Sequence, residues 1–391
     1  MKITIVQGAF LPVPPLLGGA VEKIHQALGK EFTRRGCSVT HVSRRYPGLP
    51  NRETADGVEH RRVAGFDSPR SLAVLKLLDL FYSLRVLRVL PKADIIVTNT
   101  FWLPILLRTR KHGAVYVNVN RYPKGQMRFY RHAARLQAVS QVVADAITAQ
   151  TPAVREKVRV IANPLPDSWC DPAPDLSQPR RREILYVGRI HPEKGIALLL
   201  DAFARVAHDA LQGWRLVIVG PAEAKMGGGG ADYLARLKQQ AAPVKECVDW
   251  IGPVFDNSEL KSYYDRASFF AYPSLAAQGE SFGLSPLEAM ARGCIPAVSD
   301  LACFRDYLTP GHNGFVFNHE ASDPVGALAE RLSECVRFED GLLPIRRNGL
   351  VTAQRFTPVK IADQFLEDFR HICASKQIGN TSVLNYPQET L

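Results

Sequence analysis

Residues 268–299, SFFAYPSLAAQGESFGLSPLEAMARGCIPAVS, decide the reading of the fold. The apolar run Phe269, Phe270, Ala271, Tyr272 reads as a buried parallel strand that Pro273 and Ser274 end. A loop holding Glu280 and Gly283 follows. Ser285-Pro286-Leu287-Glu288 then combines an N-cap serine, a proline suited to the first turn and a glutamate three residues after the serine, which predicts a helix start closed by a capping box. Gly293 suits the end of that helix, and residues 295–298 read as the next strand. In open α/β sheets, ligands bind outside the carboxyl ends of strands, where helix N-termini offer free N–H groups to phosphate. The stretch therefore reads as a site for an anionic ligand. Two plainer readings stand beside it: Glu288 as no more than a cap, and Glu280 as a solvated loop carboxylate.

The rest of the chain extends the same alternation. Residues 2–7, 39–43, 94–98, 114–119, 137–140 and 158–161 read as strands, and a helix over 20–35 follows the first of them. Pro164, Pro166, Pro172, Pro174 and Pro179 mark a linker. The pattern restarts with strands at 184–187, 215–219 and 247–251 and helices at 195–207, from 232, and at 258–266. The expected organisation is a domain over 1–166, a linker over 167–182, a second domain over 183–356, a helix over 357–375 that can pack back on the first domain, and a loose tail over 376–391. Both halves are Rossmann-like, doubly wound α/β domains, and they would face each other across a cleft. The four glycines 227–230 read as a flexible loop.

A chain of 391 residues, 46% hydrophobic and 22% charged, has the length for two such domains and the composition of globular protein. Its first residues lack the long apolar core of a signal peptide, and the most apolar later stretch, 71–90, is interrupted by Lys76, Asp79, Arg85 and Arg88, which argues against a membrane span. Seven cysteines without C-x-x-C spacing read as reduced thiols of a cytoplasmic protein. Residues 1–165 hold 26 Lys and Arg against 10 Asp and Glu, a net of +16, whereas the remainder holds 23 against 28. The first half is thus expected to face something anionic: a lipid surface, an acidic acceptor or nucleic acid. Nucleic acid is set aside, since neither a stacking platform nor a recognition motif accompanies the charge.

Three basic or glycine-bearing stretches belong to this half. Residues 68–92 carry Leu72, Leu75, Leu78, Leu84 and Leu87 at helical spacing with Arg70, Lys76, Arg85, Arg88 and Lys92 among them. They read either as a helix lying on an anionic membrane or as one packed on the core with a basic outer face. Residues 121–131, with Arg121 and Lys124, would sit at the ligand edge of the sheet and are a candidate anion site. Gly18-Gly19 precedes the first helix, as a close approach for a ligand or as a plain turn; it does not follow the G-x-G-x-x-G pattern of nicotinamide-cofactor sites.

The second half has its own basic loop, Gly188-Arg189-Ile190-His191-Pro192-Glu193-Lys194-Gly195, where a strand end gives way to a helix. Arg grips phosphate oxygens as a fork and Lys acts as a point charge, so the pair suits a diphosphate. With these residues on the page, the chain resembles the retaining GT-B glycosyltransferases of the family 4 type. The resemblance rests on Gly18-Gly19 with Glu22, on Gly188-Arg189 with Lys194-Gly195, and on Glu280 and Glu288 in ESFGLSPLE, in the family's order and over nearly the full length.

The resemblance implies a nucleotide-sugar donor, UDP- or GDP-linked, held mainly by the second domain. A glycan, lipid-linked or small-molecule acceptor would be held mainly by the first. Arg189 and Lys194 would bind and stabilise the leaving diphosphate, Glu288 the ribose and Glu280 the sugar hydroxyls. Backbone N–H groups of Phe282, Gly283, Leu284 and Ser285 would meet the distal phosphate, and residues 251–254, with Gly252, the base. Neither a cofactor nor a metal is implied. The family commonly has a histidine near residues 117–121; here Asn118 or Asn120 takes that place, and an amide can bond a hydroxyl but cannot serve as a base. The expected protein is a cytoplasmic sugar transferase in peripheral contact with the anionic inner face of the membrane. A sugar-nucleotide epimerase or hydrolase of the same architecture, or a non-catalytic nucleotide-sugar or glycan binder, is the alternative.

Overall fold

In the computed structural model, Met1–Pro164 and the segment from Pro358 form one compact unit and Leu165–Thr357 form another. The structure describes residues 1–69, 71–170, 172–206, 213–337 and 339–381; Arg70 and Ala207 lie outside them, and of the tail expected over 376–391 the first six residues continue the C-terminal helix while those from 382 lie outside the described residues.

The first unit is built on an eight-stranded sheet in the order β3-β4-β2-β1-β5-β6-β7-β8. Its strands are β1 (Lys2–Val6), β2 (Ser38–Arg44), β3 (Arg52–Ala55), β4 (Val58–Val63), β5 (Ile95–Thr98), β6 (Ala114–Val119), β7 (Arg135–Ala138) and β8 (Val158–Val160). The helices between them are α1 (Ala20–Arg34), α2 (Leu72–Val89), α3 (Leu103–Leu106) and α4 (Gln141–Gln150). Every strand pair is parallel except β3 with β4, and chain order reverses between β1 and β5. The β3–β4 hairpin adds to the strands read from the sequence. Its turn is Asp56-Gly57, with φ of 51° and 77°, a two-residue connection whose Asp-Gly signature was there to be read. One expected strand ends early: Ser140 caps α4, its Oγ accepting from Val143 N at 3.4 Å.

The C-terminal helix Pro358–Thr381 packs into this unit through aromatic rings. Phe369 meets Phe32 of α1 and Tyr116 of β6 edge-on, with ring centroids 5.7 and 4.9 Å apart. Asp368, 3% exposed, accepts from Tyr116 Oη at 3.0 Å and from Arg135 Nη2 at 2.5 Å.

The structure corrects the reading of α2 as a helix with a basic outer face. Its inner side carries Asp79, Tyr82, Ser83 and Val86, whereas Val74, Leu77, Phe81 and Leu84 are 43%, 52%, 49% and 41% exposed. The inversion has a local cause: Asp79 Oδ2 accepts from the backbone N–H groups of Phe101 and Trp102, at 3.1 and 3.0 Å, which turns the polar side of the helix toward the sheet. No helix among the described residues is long and apolar enough to cross a membrane.

The second unit opens with α5 (Asp167–Cys170) and holds a six-stranded, all-parallel sheet in the order β11-β10-β9-β12-β13-β14. The strands are β9 (Arg181–Val187), β10 (Arg215–Val219), β11 (Val248–Gly252), β12 (Ala267–Tyr272), β13 (Ile295–Ser299) and β14 (Phe315–Phe317). Its helices are α6 (Ile196–Arg205), α7 (Ala231–Gln240), α8 (Asn257–Arg266), α9 (Leu284–Ala291), α10 (Pro324–Arg337) and α11 (Leu343–Ala353). Here chain order reverses between β9 and β12, the switch point at which such sheets bind ligands.

Three histidines lie buried in the first unit. His25 of α1 is 1% exposed with Nδ1 2.6 Å from Gln7 Oε1, and His41 and His60 stack with ring centroids 5.7 Å apart. Burial lowers the pKa of His25 to about 4, against a smaller opposing effect of the nearby Asn118 amide. Burial also lowers His41 and His60, with the Arg62 charge acting in the same direction. A ring whose folded pKa lies below its unfolded value of about 6.5 binds fewer protons when native, so its contribution is complete above about pH 6.5 and is lost as pH falls toward 4. Urea unfolding midpoints should therefore be level near pH 7 and fall from about pH 6.5 to 4, with His25 accounting for about 3 kcal/mol. His25→Gln should flatten the dependence, and a midpoint constant across this window would contradict the account.

Candidate active site

The second unit supplies the denser cluster. Because β9 and β12 are parallel neighbours, the loops after Val187 and Tyr272 leave the sheet at one edge. They touch through backbone: a Cβ at Gly195, whose φ is 68°, would lie 1.9 Å from Pro273 O. Only glycine permits that approach, and the approach sets Lys194 against the β12 loop. Lys194 Nζ lies 2.6 Å from Glu280 Oε2 and 3.1 Å from Tyr272 Oη, and Tyr272 Oη donates to the same carboxylate oxygen at 3.0 Å. Both charged residues are buried, at 6% and 9% exposure. Two residues assigned from sequence to different parts of a ligand are thus joined directly.

Arg189 is half-exposed and held from two sides, by Gly227 O at 2.8 Å and Glu193 Oε1 at 2.9 Å. The glycine run is not the loose loop expected. Gly228 N, Gly229 N and Gly230 N donate to Glu223 O, Ile190 O and Ala222 O at 3.0, 2.8 and 2.8 Å, and a Cβ at Gly227 would lie 2.8 Å from Arg189 Nη1. The glycines form a fixed cradle for the guanidinium. Gly188 N bonds Val219 O at 3.0 Å, and Gly252 O receives Gly220 N at 2.8 Å, so both predicted glycines line the same sheet edge. Ile251 and Phe255 beside Gly252 are 39% and 77% exposed.

The helix start also departs from the expected one. α9 begins at Leu284, with Gly283 at the cap in a left-handed conformation and no side chain capping it. A Cβ at Gly283 would lie 2.4 Å from the Phe304 ring, and its carbonyl accepts from Tyr307 Oη at 2.7 Å. Tertiary packing thus overrides the Ser285 cap, and Ser285 falls inside the helix. Glu288 is not the third member of a capping box either: its Oε2 accepts from Tyr264 Oη at 3.0 Å. Phe282 is buried against Tyr307 and Phe356. The first turn of α9 holds no acidic residue, so its N–H groups are suited to an anion.

The first unit carries a separate polar edge. Gly18 and Gly19 have φ of 76° and 100°, and a Cβ at Gly19 would lie 2.2 Å from Glu22 Oε2. Burial raises the pKa of Glu22, opposed by a backbone hydrogen bond and by the Arg121 charge. Asn120 Nδ2 donates to Asn118 Oδ1, Asn118 Nδ2 to Gln137 Oε1, and Gln137 Nε2 to Ile161 O. Arg121 and Lys124 are exposed. His25, which sequence reasoning passed over, lies buried near Asn118 with Nδ1 on Gln7; its signal was a histidine one turn after Glu22 on the buried side of α1. The phenols of Tyr186, Tyr264, Tyr272 and Tyr307 were missed as well. Among the described residues no group of three or more His, Cys, Asp or Glu is placed to hold a metal ion.

Two family models match. The one described as glycosyl transferases group 1 covers residues 169–337, and the one described as glycosyltransferase family 4 covers residues 18–169. Alpha-maltose-1-phosphate synthase of Mycolicibacterium smegmatis is 28% identical over 257 residues, 61% of this chain and 63% of that protein. Phosphatidyl-myo-inositol mannosyltransferase of Mycobacterium tuberculosis is 30% identical over 187 residues, 47% of this chain and 43% of that protein. The matched stretch is thus less than two thirds of either relative. Among solved structures, sucrose-phosphate synthase of Thermosynechococcus elongatus superposes with a TM-score of 0.79 at 20% identity, covering 96% of this chain and all of that one. HepE of Anabaena, solved with UDP, gives 0.69 at 20% identity, covering 95% of this chain and all of that one. At those identities the likeness is one of fold.

The buried pair can be probed without any ligand. Lys194→Ala leaves Glu280 as a buried carboxylate without its cation and should cost about 3 kcal/mol in urea unfolding. In a double-mutant cycle Lys194→Ala and Glu280→Ala should be coupled by about 1–3 kcal/mol, and additive losses would show that the two side chains do not interact.

Proposed function

Because the chain belongs to the GT-B glycosyltransferases of the family 4 type, we propose that it transfers a sugar from a nucleoside-diphosphate sugar to an acceptor with retention of anomeric configuration. The observation that carries this reading is the Lys194–Glu280 pair at the β9–β12 switch point, with Arg189 on the same edge and the uncapped start of α9 close by in sequence.

Breaking a glycosyl-phosphate bond builds negative charge on the departing diphosphate. Arg189, Lys194 and the α9 N-terminus are fixed positive groups that meet that charge without reorganising. Glu280 receives hydroxyls of the transferred sugar, Glu288 the ribose, and the exposed edge near Gly252 the base. The donor is a UDP- or GDP-sugar; HepE, solved with UDP, makes UDP-sugars the first to test. No divalent cation enters this scheme. Asn118 and Asn120 orient acceptor hydroxyls but cannot take a proton, so the proton passes to the leaving phosphate in a front-face reaction through an oxocarbenium-like transition state.

We further propose a lipid-linked acceptor met at an anionic membrane surface. The support is the outward apolar ridge Val74, Leu77, Phe81, Leu84 on α2, flanked by Lys76, Arg85 and Arg88. Beside Phe101 and Phe129, which pack edge-on, lies a surface cavity of about 350 Å³ lined by Ile105, Arg108, Arg128, Phe129, Arg131 and His132. A second copy of the chain suits this ridge less well, since pairing would bring two strongly basic surfaces together.

Three substitutions, Arg189→Ala, Lys194→Ala and Glu280→Ala, should each lower nucleotide-sugar turnover at least about 100-fold. Unchanged rates in all three would sink the assignment, and NMR of the product anomer tests retention. Flotation with anionic liposomes should show binding that weakens steeply with salt and with Leu77→Ser/Phe81→Ser. Absence of binding at low salt would remove the membrane proposal and leave the donor chemistry standing.

A further inference from the structure

Each of the stretches that build the donor side rests on a buried phenol. Tyr186 Oη donates to Arg189 O at 2.9 Å, Tyr272 Oη to Glu280 Oε2 at 3.0 Å and Tyr264 Oη to Glu288 Oε2 at 3.0 Å. These rings form one continuous column. Tyr186 stacks on Tyr272 at 6.0 Å and 13°, Tyr272 on Phe270 at 5.9 Å and 15°, and Phe270 meets Tyr264 at 5.6 Å and 33°. Every member is buried, so a shift of one ring is resisted by its neighbours. The motif residues that would meet leaving group, sugar and ribose are thereby held on a common support.

We propose that Tyr272 is a positioning residue for sugar transfer, and that through it Glu280 presents Oε1, not Oε2, to the hydroxyls of the donor sugar. The inference rests on the donor reading of the preceding subsection and adds a residue and an atom to it.

Oε2 of Glu280 receives Lys194 Nζ at 2.6 Å, Tyr272 Oη at 3.0 Å and Ser274 Oγ at 3.4 Å. That oxygen has no lone pair left for a ligand. Oε1 has no hydrogen bond among the described residues. Lys194 likewise spends two of its three N–H groups inside the cluster, on Glu280 and on the Tyr272 oxygen, and keeps one.

The phenol is therefore acceptor to the ammonium and donor to the carboxylate at once. It fixes the angle at which the two ions meet. Without the hydroxyl, only the long Ser274 contact opposes rotation of the carboxylate into a closer, two-oxygen contact with Lys194, which would consume the atom meant for the sugar. Burial, and after it the charge of Glu280, pushes the Tyr272 phenol far above its ordinary range, so it stays a proton donor at any working pH.

Tyr272→Phe keeps the ring in the column and removes only the hydroxyl. With UDP-glucose as the probe donor, kcat should fall at least about 10-fold while KM changes less than about 3-fold. Thermal shift gives a second reading: UDP should stabilise variant and wild type alike, whereas the additional stabilisation by UDP-glucose over UDP should be lost in the variant. Tyr272→Leu, which also breaks the stack, should lower Tm and impair UDP binding as well. A Tyr272→Phe variant with wild-type kcat, or with wild-type additional stabilisation by the sugar, overturns the inference while leaving the transferase reading intact. Loss confined to Tm and KM would assign Tyr272 a structural role and overturn it too. A wild-type protein that turns over no nucleotide sugar would overturn the transferase reading and this inference with it.

Discussion

The buried contact between Lys194 and Glu280, 2.6 Å from nitrogen to oxygen, is the constraint on which the second unit depends. Neither ion could be taken out of water alone; desolvation costs several kcal/mol per ion and is recovered only where geometry and added hydrogen bonds are good. The fold meets those conditions by backbone means. The turn carrying Lys194 and the loop carrying Glu280 start from adjacent parallel strands, and Gly195 lets the first pass against Pro273 of the second without an intervening side chain. A pair so arranged is poised rather than satisfied: one N–H of the lysine and one oxygen of the glutamate are left over. A ligand that brings a phosphate to the first and a hydroxyl to the second completes both inventories without separating the ions.

The same economy of position governs Arg189. An exposed arginine loses side-chain entropy when it is fixed, and here that entropy is already lost before a ligand arrives, because Gly227 O and Glu193 hold the guanidinium from opposite sides. Preorganisation of this kind favours charge that develops during reaction over charge already present. It also explains why a run of four glycines is ordered: the backbone must come close enough for its carbonyl to serve as a partner, a Cβ at Gly227 would fill the gap to Arg189, and one at Gly228 would strike the backbone of Ala222.

What the sequence made legible follows from the range of each signal. Alternating strands and helices and the switch-point loops are local patterns and are legible as elements, whereas the partners of Arg189 and Lys194, Glu193 and Glu280, are not named by the motif. The start of α9 was misread because Ser285-Pro286-Leu287-Glu288 is a strong local cap signal, whereas the actual boundary is set by Phe304 closing on Gly283 and Tyr307 binding its carbonyl, contacts across some twenty residues. The orientation of α2 could not be read from leucine spacing either. Leucines lie around much of the helix, and the choice of inner face falls to Asp79, whose partners are two backbone N–H groups of a distant loop. Phenols are silent for the same reason: Phe269, Phe270 and Tyr272 look alike as strand residues, and only the register of β12 against β9 shows which ring joins the column. The Asp56-Gly57 hairpin is different in kind, a local signal that was present and unread.

The polar edge of the first unit offers no group fitted to take the proton of the acceptor proposed above. A general base needs a pKa near the working pH and a path to the proton it removes. His25 meets neither need, being 1% exposed with a pKa of about 4, and its Nδ1 is already engaged with Gln7. Asn118 has its amide committed on both sides, to Asn120 and to Gln137, which makes it a rigid strut with no proton-transfer capacity. Glu22 is a carboxylate whose pKa burial raises, and it packs against the Gly18-Gly19 turn at 6% exposure, closed off from solvent. Amides and a buried neutral imidazole can orient a hydroxyl without competing for its proton. In the front-face transfer proposed above, the leaving phosphate, whose basicity rises as the glycosyl bond breaks, is the proton's destination, and no base is needed from this edge.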